Sequence, residues 1–293
     1  MLPRAVLVER PTEYEELLAR HATREQVRFF LERRGIAIQG VERRHEALQE
    51  AHRRLLGAIP EDWRTATALR DDLDRFLFEP DDVVLVLGQD GLVANVAKYL
   101  DGQPVLGFNP DPERVLGVLV PHPPAAAADL LADLVRGRAR TQQRTMVTAR
   151  LDDGQQVTAL NEVFVGHASH QSARYTIQRG DHAERQSSSG LIVATGTGAT
   201  GWAASLNRQL GLELPRPDDR GLAYFVREAW PSHTTGTTLT AGLLAPEERL
   251  TITCELGDGG VVFGDGIERD RVAVDWGQRI EIAAAGRALQ LVV

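Results

Sequence analysis

Asp82-Val-Val-Leu-Val-Leu-Gly-Gln-Asp-Gly-Leu92 reads as a strand, a tight turn and the approach to a helix. Val83 to Leu87 are five consecutive apolar residues, mostly β-formers, between a charged residue and a glycine. Strict alternation would mark a sheet with one wet face. An unbroken run marks a strand covered on both faces, which favours a parallel sheet. A helix is predicted over about 93–100, and Pro104-Val-Leu-Gly-Phe108 gives the next short strand. Upstream, Ala5 to Val8 is another buried-strand pattern. Thr23-Arg-Glu-Gln26 has a capping-box spelling, followed by Val27, Phe30 and Leu31 at helical spacing and Gly35 as the C′ residue. A second helix carries Leu48, Ala51 and Leu55 on one face. The alternation predicts an α/β amino-terminal domain, 1–121, with a Rossmann-like parallel sheet.

Past Pro121-His-Pro-Pro124 the pattern changes. One helical stretch, Ala125 to Arg136, precedes short alternating runs at Thr145–Leu151, Val157–Val165, Ala173–Gln178, Leu191–Ala194, Leu250–Glu255, Val261–Phe263, Arg279–Ala283 and Leu289–Val293. They predict a β-rich carboxy-terminal domain, 122–293, whose last strands can pack back on the first.

The 293 residues carry a net charge of −8, which argues against a nucleic-acid partner held by phosphate neutralisation. Small anions remain open, since backbone N–H groups bind them without help from net charge. Cys254, the single cysteine, excludes an intrachain disulfide framework and a multi-cysteine zinc site. Lys98 is the one lysine, and with no GxxxxGK[ST] the chain is not a Walker-A enzyme. The opening residues lack the apolar core of a signal peptide, and no run approaches the roughly 20 residues of a membrane span. The expectation is a cytoplasmic protein with no membrane partner.

Four segments can carry chemistry. Gly88-Gln-Asp-Gly-Leu92 joins a central strand to a helix, where N–H groups with partial positive charge point outward and glycine allows close approach. Asp90 would repel an anion there, which suits a catalytic carboxylate; a turn with a helix-capping Asp is the bland alternative. Ser187 to Trp202 contains Thr195-Gly-Thr-Gly-Ala-Thr200, a Gly/Thr loop between strand and helix that offers hydroxyls and N–H groups to phosphate or ribose. Asn161 and Glu162 interrupt an otherwise apolar strand, where one of them should face a site. Phe263-Gly-Asp-Gly-Ile-Glu268 looks first like a hairpin turn. His167 with His170, and His45 with His52, lack further ligand-type neighbours, so no metal is expected on them.

Together and in this order, the four segments resemble the NAD kinase family over nearly the whole chain. GQDGL is similar to the family's GGDGT, ALNEV to its Asn-Glu motif, and TGTGATGW to its Gly/Thr loop. FGDG falls where the family has an Asp-Gly turn. Arg10-Pro-Thr-Glu-Tyr-Glu15, Val105-Leu-Gly-Phe-Asn-Pro-Asp-Pro112 and Ser188-Ser-Gly-Leu191 resemble the branch with mitochondrial NAD kinases and plant NADH kinases.

The resemblance implies an NAD kinase-like fold and phosphoryl transfer from ATP with Mg²⁺ to the 2′-hydroxyl of the adenosine ribose of NAD or NADH, giving NADP(H). It also implies a homo-oligomer, dimer or tetramer. Asp90 would be the general base on the acceptor hydroxyl, or its orienter, and Gly88, Gln89, Gly91 and Leu92 would shape the phosphate turn. Asn161 and Glu162 would bind ribose or phosphates, with Thr195, Gly196, Thr197, Gly198 and Thr200 lining the dinucleotide pocket. Gln89 stands where the family has glycine: its β-carbon is harmless at negative φ and obstructive at positive φ. Leu92 stands where the family has threonine, and Ser189 where many members have Asp. Two other readings stay open, a silent NAD(H)-binding sensor and a kinase for a lipid or sugar-like alcohol, since diacylglycerol and sphingosine kinases share the GGDG theme.

Overall fold

The computed structural model describes residues 3–112 and 116–293; Met1 and Leu2, at the start of the opening run, lie outside the described residues. The chain forms two compact units, Met1–Gln142 with Gln290–Val293, and Gln143–Leu289.

In the first unit β1 (Arg4–Glu9) leads through α1 (Glu13–His21), α2 (Arg24–Glu32) and α3 (Ile38–Ala58) to β2 (Arg64–Leu69). β3 (Asp82–Leu87), α4 (Asp90–Ala97), β4 (Pro104–Phe108) and α5 (Ala127–Val135) follow. The strands are parallel in the order β2-β1-β3-β4, and the end of the chain extends the sheet with Gln290 opposite Pro104 and Leu291 opposite Val105. Every residue of β3 is buried, as an unbroken apolar run requires. On one face Ala51 and Leu55 of α3, with Ala127 and Leu131 of α5, meet Leu7, Leu85, Leu87 and Phe108. α4 packs on β1, β3 and β4. Each fully buried Leu or Val contributes about 1.5–3 kcal/mol over remaining exposed, so this central strand is a large part of the unit's stability. The boundary expected at 121 falls inside this unit, because the apolar stripe of α5 finds its partner in α3.

Local signals explain the helix ends. Thr23 caps α2 by accepting the Gln26 N–H, but the reciprocal capping box is at Thr12, which exchanges bonds with Glu15 ahead of α1. Gly35 does close α2: at φ +70° it donates to the Glu32 carbonyl, while Ile36 reaches back to Leu31. α1 and β2 have no counterpart among the expected elements.

The second unit begins with β5 (Thr141–Leu151), β6 (Gln156–Ala159), β7 (Glu162–His167), β8 (Ala173–Arg179), β9 (His182–Ser188) and β10 (Leu191–Ala194). It continues through α6 (Trp202–Asn207), β11 (Leu222–Val226), β12 (Ala241–Leu244), β13 (Leu250–Cys254), β14 (Gly260–Gly264), β15 (Val272–Val274) and most of β16 (Arg279–Val292). β6-β5-β16-β13-β8-β9 are neighbours in one sheet and β12-β11-β10-β7-β14-β15 in another. A core fills the space between them: Val147, Ala149, Tyr175, Ile177, Ile252 and Ile280 from the first meet Val163, Val165, Leu191, Val193, Tyr224 and Val262 from the second. The spacing of two is the strand period, and it sends Phe164, Ile192, Ala194, Phe225 and Phe263 to the opposite face under α6. The expected β-rich part is thus a two-sheet sandwich.

Two expectations are corrected here. The run 157–165 is two strands broken at Leu160–Asn161, and the runs 279–283 and 289–293 are parts of one strand. Among the described residues no helix is long and apolar enough to cross a membrane.

Candidate functional site

In the first unit β3 is followed by Gly88, whose φ of +151° favours glycine and whose N–H donates to the Phe108 carbonyl. Gln89 follows at φ −116° and ψ 163°, in an extended conformation open to any residue, with its side chain exposed. Its β-carbon is therefore accommodated without strain. Gly91 is exposed, and a β-carbon there would meet nothing within 4 Å. Leu92 is 4% exposed and belongs to the core, so it offers the turn no ligand contact.

Asp90 is the first residue of α4, one place inside the helix rather than at its cap. Its Oδ1 accepts the N–H groups of Leu119 at 2.8 Å and Val120 at 3.1 Å, and its Oδ2 accepts that of Val118 at 3.0 Å. An ionised carboxylate has about four acceptor positions, so about one is left for a hydroxyl. The donor segment is tightly seated: a β-carbon on Gly107 would lie 2.0 Å from the Leu119 carbonyl oxygen.

In the second unit the break between β6 and β7 has a definite cause. The Asp265 carboxylate accepts the Leu160 N–H at 2.9 Å and the Asn161 N–H at 2.6 Å. Asp265 N–H donates to the Glu162 carbonyl at 3.0 Å. Thr195 closes the other side: its hydroxyl donates to the Leu160 carbonyl at 2.6 Å and its N–H to the Asn161 carbonyl at 2.9 Å. The same hydroxyl accepts the N–H groups of Thr197 and Gly198 at 3.1 and 3.2 Å. Asn161, Glu162, Thr195, Gly196, Thr197 and Gly198 thus form one cradle, joined by Asp265. Thr200 lies at its exposed edge, with its hydroxyl 3.4 Å from the Thr197 carbonyl.

Glycine is required where this loop presses on other backbone. A β-carbon on Gly198 would sit 2.3 Å from the Asn161 carbonyl oxygen, and one on Gly196 1.9 Å from that of Arg216. Backbone cannot yield as a flexible side chain can, so Gly196→Ala is expected to cost about 3 kcal/mol, the upper part of the usual overpacking range. Urea unfolding measures it, and an unchanged midpoint would show that the loop is looser than this.

Three polar groups in the cradle have no protein partner among the described residues: the Asn161 amide, the Glu162 carboxyl and the buried Thr197 hydroxyl. Glu162 is 8% exposed. Burial, and secondarily the charge of Asp265, push its carboxyl up to about 7. Near neutrality it can therefore either donate or accept a hydrogen bond to a ribose or phosphate oxygen. The Asp265 contribution was underweighted in the sequence, where Asp-Gly reads first as a turn. A cavity of about 490 Å³ in the second unit is lined by Phe164, Phe263, Trp202, Arg227, Arg271 and His167 among others. Arg227 lies 5.1 Å from the Trp202 ring centroid, a combination suited to a planar ring beside an anionic group.

No family model matches the chain. An NAD kinase of Methylococcus capsulatus is 36% identical over 132 residues, 42% of this chain and 44% of that protein. One from Psychrobacter arcticus is 35% identical over 133 residues, 42% and 40% of the two chains. A rat protein, NAD kinase 2, mitochondrial, is 27% identical over 259 residues, 70% of this chain and 60% of that one. The chain spans less than half the length of the first two relatives. The crystal structure of yeast NADH kinase complexed with NADH covers all of this chain, 100%, and 83% of its own, with a TM-score of 0.63 at 15% identity; the fold is shared.

Proposed function

We propose that the chain, which is similar to NAD kinases in part of its sequence and in its fold, is a member of that family and transfers a phosphoryl group from ATP to the 2′-hydroxyl of the adenosine ribose of NAD or NADH. The carrying observation is the cradle of the second unit, where Asn161, Glu162 and Thr197 are held by backbone bonds yet keep their polar groups free of protein partners. That is the arrangement a polyhydroxylated, phosphorylated ligand needs. Asn161 and Glu162 bind ribose or phosphate oxygens, and Thr195 to Gly198 line the pocket.

Asp90 takes the chemical role. Its remaining acceptor position receives the 2′-hydroxyl hydrogen bond and orients the oxygen. As the new oxygen–phosphorus bond forms and the bond from the γ-phosphorus to the bridging oxygen breaks, the hydroxyl proton passes to the carboxylate and ADP leaves with the bond electrons. Gly88 and Gln89 form the turn in front of the α4 N–H groups, and Gly91, the second residue of α4, carries one of those N–H groups. No group of three or more His, Cys, Asp or Glu side chains able to hold a metal occurs among the described residues. Mg²⁺ would enter with the substrate, as the counter-ion of the ATP phosphates, as the family resemblance implies. The negative φ of Gln89 removes the steric motive for a silent sensor, and the cradle favours a dinucleotide over a lipid alcohol. A cytoplasmic homo-oligomer, dimer or tetramer, completes the proposal; light scattering on the purified protein tests the assembly.

The activity test is NADP(H) formation with Mg²⁺-ATP, supplying NAD and NADH separately and using Asp90→Asn as the blank. Turnover above the blank is expected. NADH binding without product, with ATP and then with polyphosphate as donor, would favour the sensor instead.

A further inference from the structure

Asp265 and Gly266 have φ of +53° and +67°, and Ile267 N–H donates to the Gly264 carbonyl at 3.0 Å. Two successive positive φ angles make a type I′ turn, which Asn-Gly forms as readily as Asp-Gly. The turn therefore has no need of a carboxylate. The carboxylate instead reaches across about a hundred residues of sequence to the N–H groups of Leu160 and Asn161.

We propose that Asp265 is a positioning residue for dinucleotide binding, holding Asn161 and Glu162 against the Thr195–Gly198 loop so that their side chains meet the ligand already oriented. The inference rests on reading that cradle as the NAD(H) site. Five of the six backbone polar groups of the Leu160–Glu162 segment are tied to Asp265 or Thr195. Two N–H groups go to the Asp265 carboxylate, two carbonyls to Thr195, and the Glu162 carbonyl to the Asp265 N–H. The Asn161 and Glu162 side chains are left out of this frame, which is what preorganised ligand groups require.

Asp265 acts on Glu162 through charge as well. Across the strands β10 presents Ala194 to Glu162, β14 ends in Gly264 beside Val163, and the Thr195–Gly198 loop carries only hydroxyls. Asp265 is thus the one ionisable group acting on it among the described residues, second to burial in raising its carboxyl.

The test uses the whole protein with Asp265→Asn, which keeps the turn but not the charge, and Asp265→Gly, which keeps the turn and removes the side chain. NADH binding is followed by fluorescence between about pH 5.5 and 8.5, thermal unfolding is recorded in parallel, and Glu162 ionisation is followed by carbon-13 NMR of the side-chain carboxyl. Both variants are expected to fold and to bind NADH at least tenfold more weakly. In both, Glu162 should ionise at lower pH, though still above an ordinary glutamate. A merely structural residue would lower the unfolding temperature and leave the Kd of the folded protein unchanged; that result overturns the proposal. If the unmodified protein binds no NADH, the dinucleotide reading itself fails and the positioning role falls with it.

Discussion

Glu162→Gln is expected to make the protein more stable at pH 8 and no more stable at pH 4. An ordinary glutamate ionises near 4.5, whereas burial and the charge of Asp265 push Glu162 up to about 7 in the folded chain. Below 4.5 both states hold the proton and the residue is neutral in the balance. Between 4.5 and 7 the unfolded chain releases it while the folded chain keeps it, so stability falls as pH rises. Above 7 the full cost is present, ~3 kcal/mol at about 1.4 kcal/mol per pH unit. Glutamine has the same shape and no charge to bury, so it removes that cost. Urea unfolding of both proteins at pH 5 and pH 8 measures it: a gap under about 1 kcal/mol at pH 5 should widen to ~3 kcal/mol at pH 8. An equal gap at both would mean that Glu162 ionises normally. The same variant should bind NADH less tightly, and stability gained with affinity lost is what a residue retained for binding produces.

Asp90→Asn should lower turnover about a thousandfold, within the range for removing a general acid or base. Dinucleotide affinity should stay within about twofold, since the cradle lies elsewhere in the chain. A separate structural effect is expected. The asparagine oxygen can still accept from Leu119 and Val120, but its amide nitrogen then faces the Val118 N–H, donor against donor. Leaving such a group unsatisfied costs about 1–3 kcal/mol, so the urea midpoint should fall measurably while the protein stays folded at low denaturant. A variant that retains turnover would remove Asp90 from the reaction.

Much of the fold was legible because local signals and tertiary partners agree. Val83 to Leu87 announce a strand covered on both faces, and the glycines and threonines after Ala194 announce a backbone loop that presses closely on other backbone. β11, Leu222-Ala-Tyr-Phe-Val226, was missed although it is apolar and buried; two other missed strands are weakly patterned. β9, His-Ala-Glu-Arg-Gln-Ser-Ser, lies at a sheet edge with an exposed first half, and β2 is likewise an edge strand with four of six residues exposed. Neither needs the apolar alternation by which a strand is recognised. The helix read at Thr23 is there as α2, but the capping box at Thr12 and Glu15 that opens α1 was not read.

The candidate site divides in the same way. Asn161, Glu162 and the Thr195–Gly198 loop stand out as polar or flexible residues against apolar strands, a contrast visible along the chain itself. The partners of Asp90 and Asp265 do not stand out, because their carboxylates bind main-chain N–H groups, and every residue but proline carries one. A sequence names its side chains but marks no backbone donor as special. Periodicity and turn chemistry were therefore enough to determine the α/β and β-rich character of the two parts, the central strand β3 and the Gly/Thr loop, but not the full set of strands in either sheet. Only folding decided that the Val118–Val120 segment closes on Asp90, and that a hairpin aspartate holds the break in an apolar strand where Glu162 is buried with an elevated pKa.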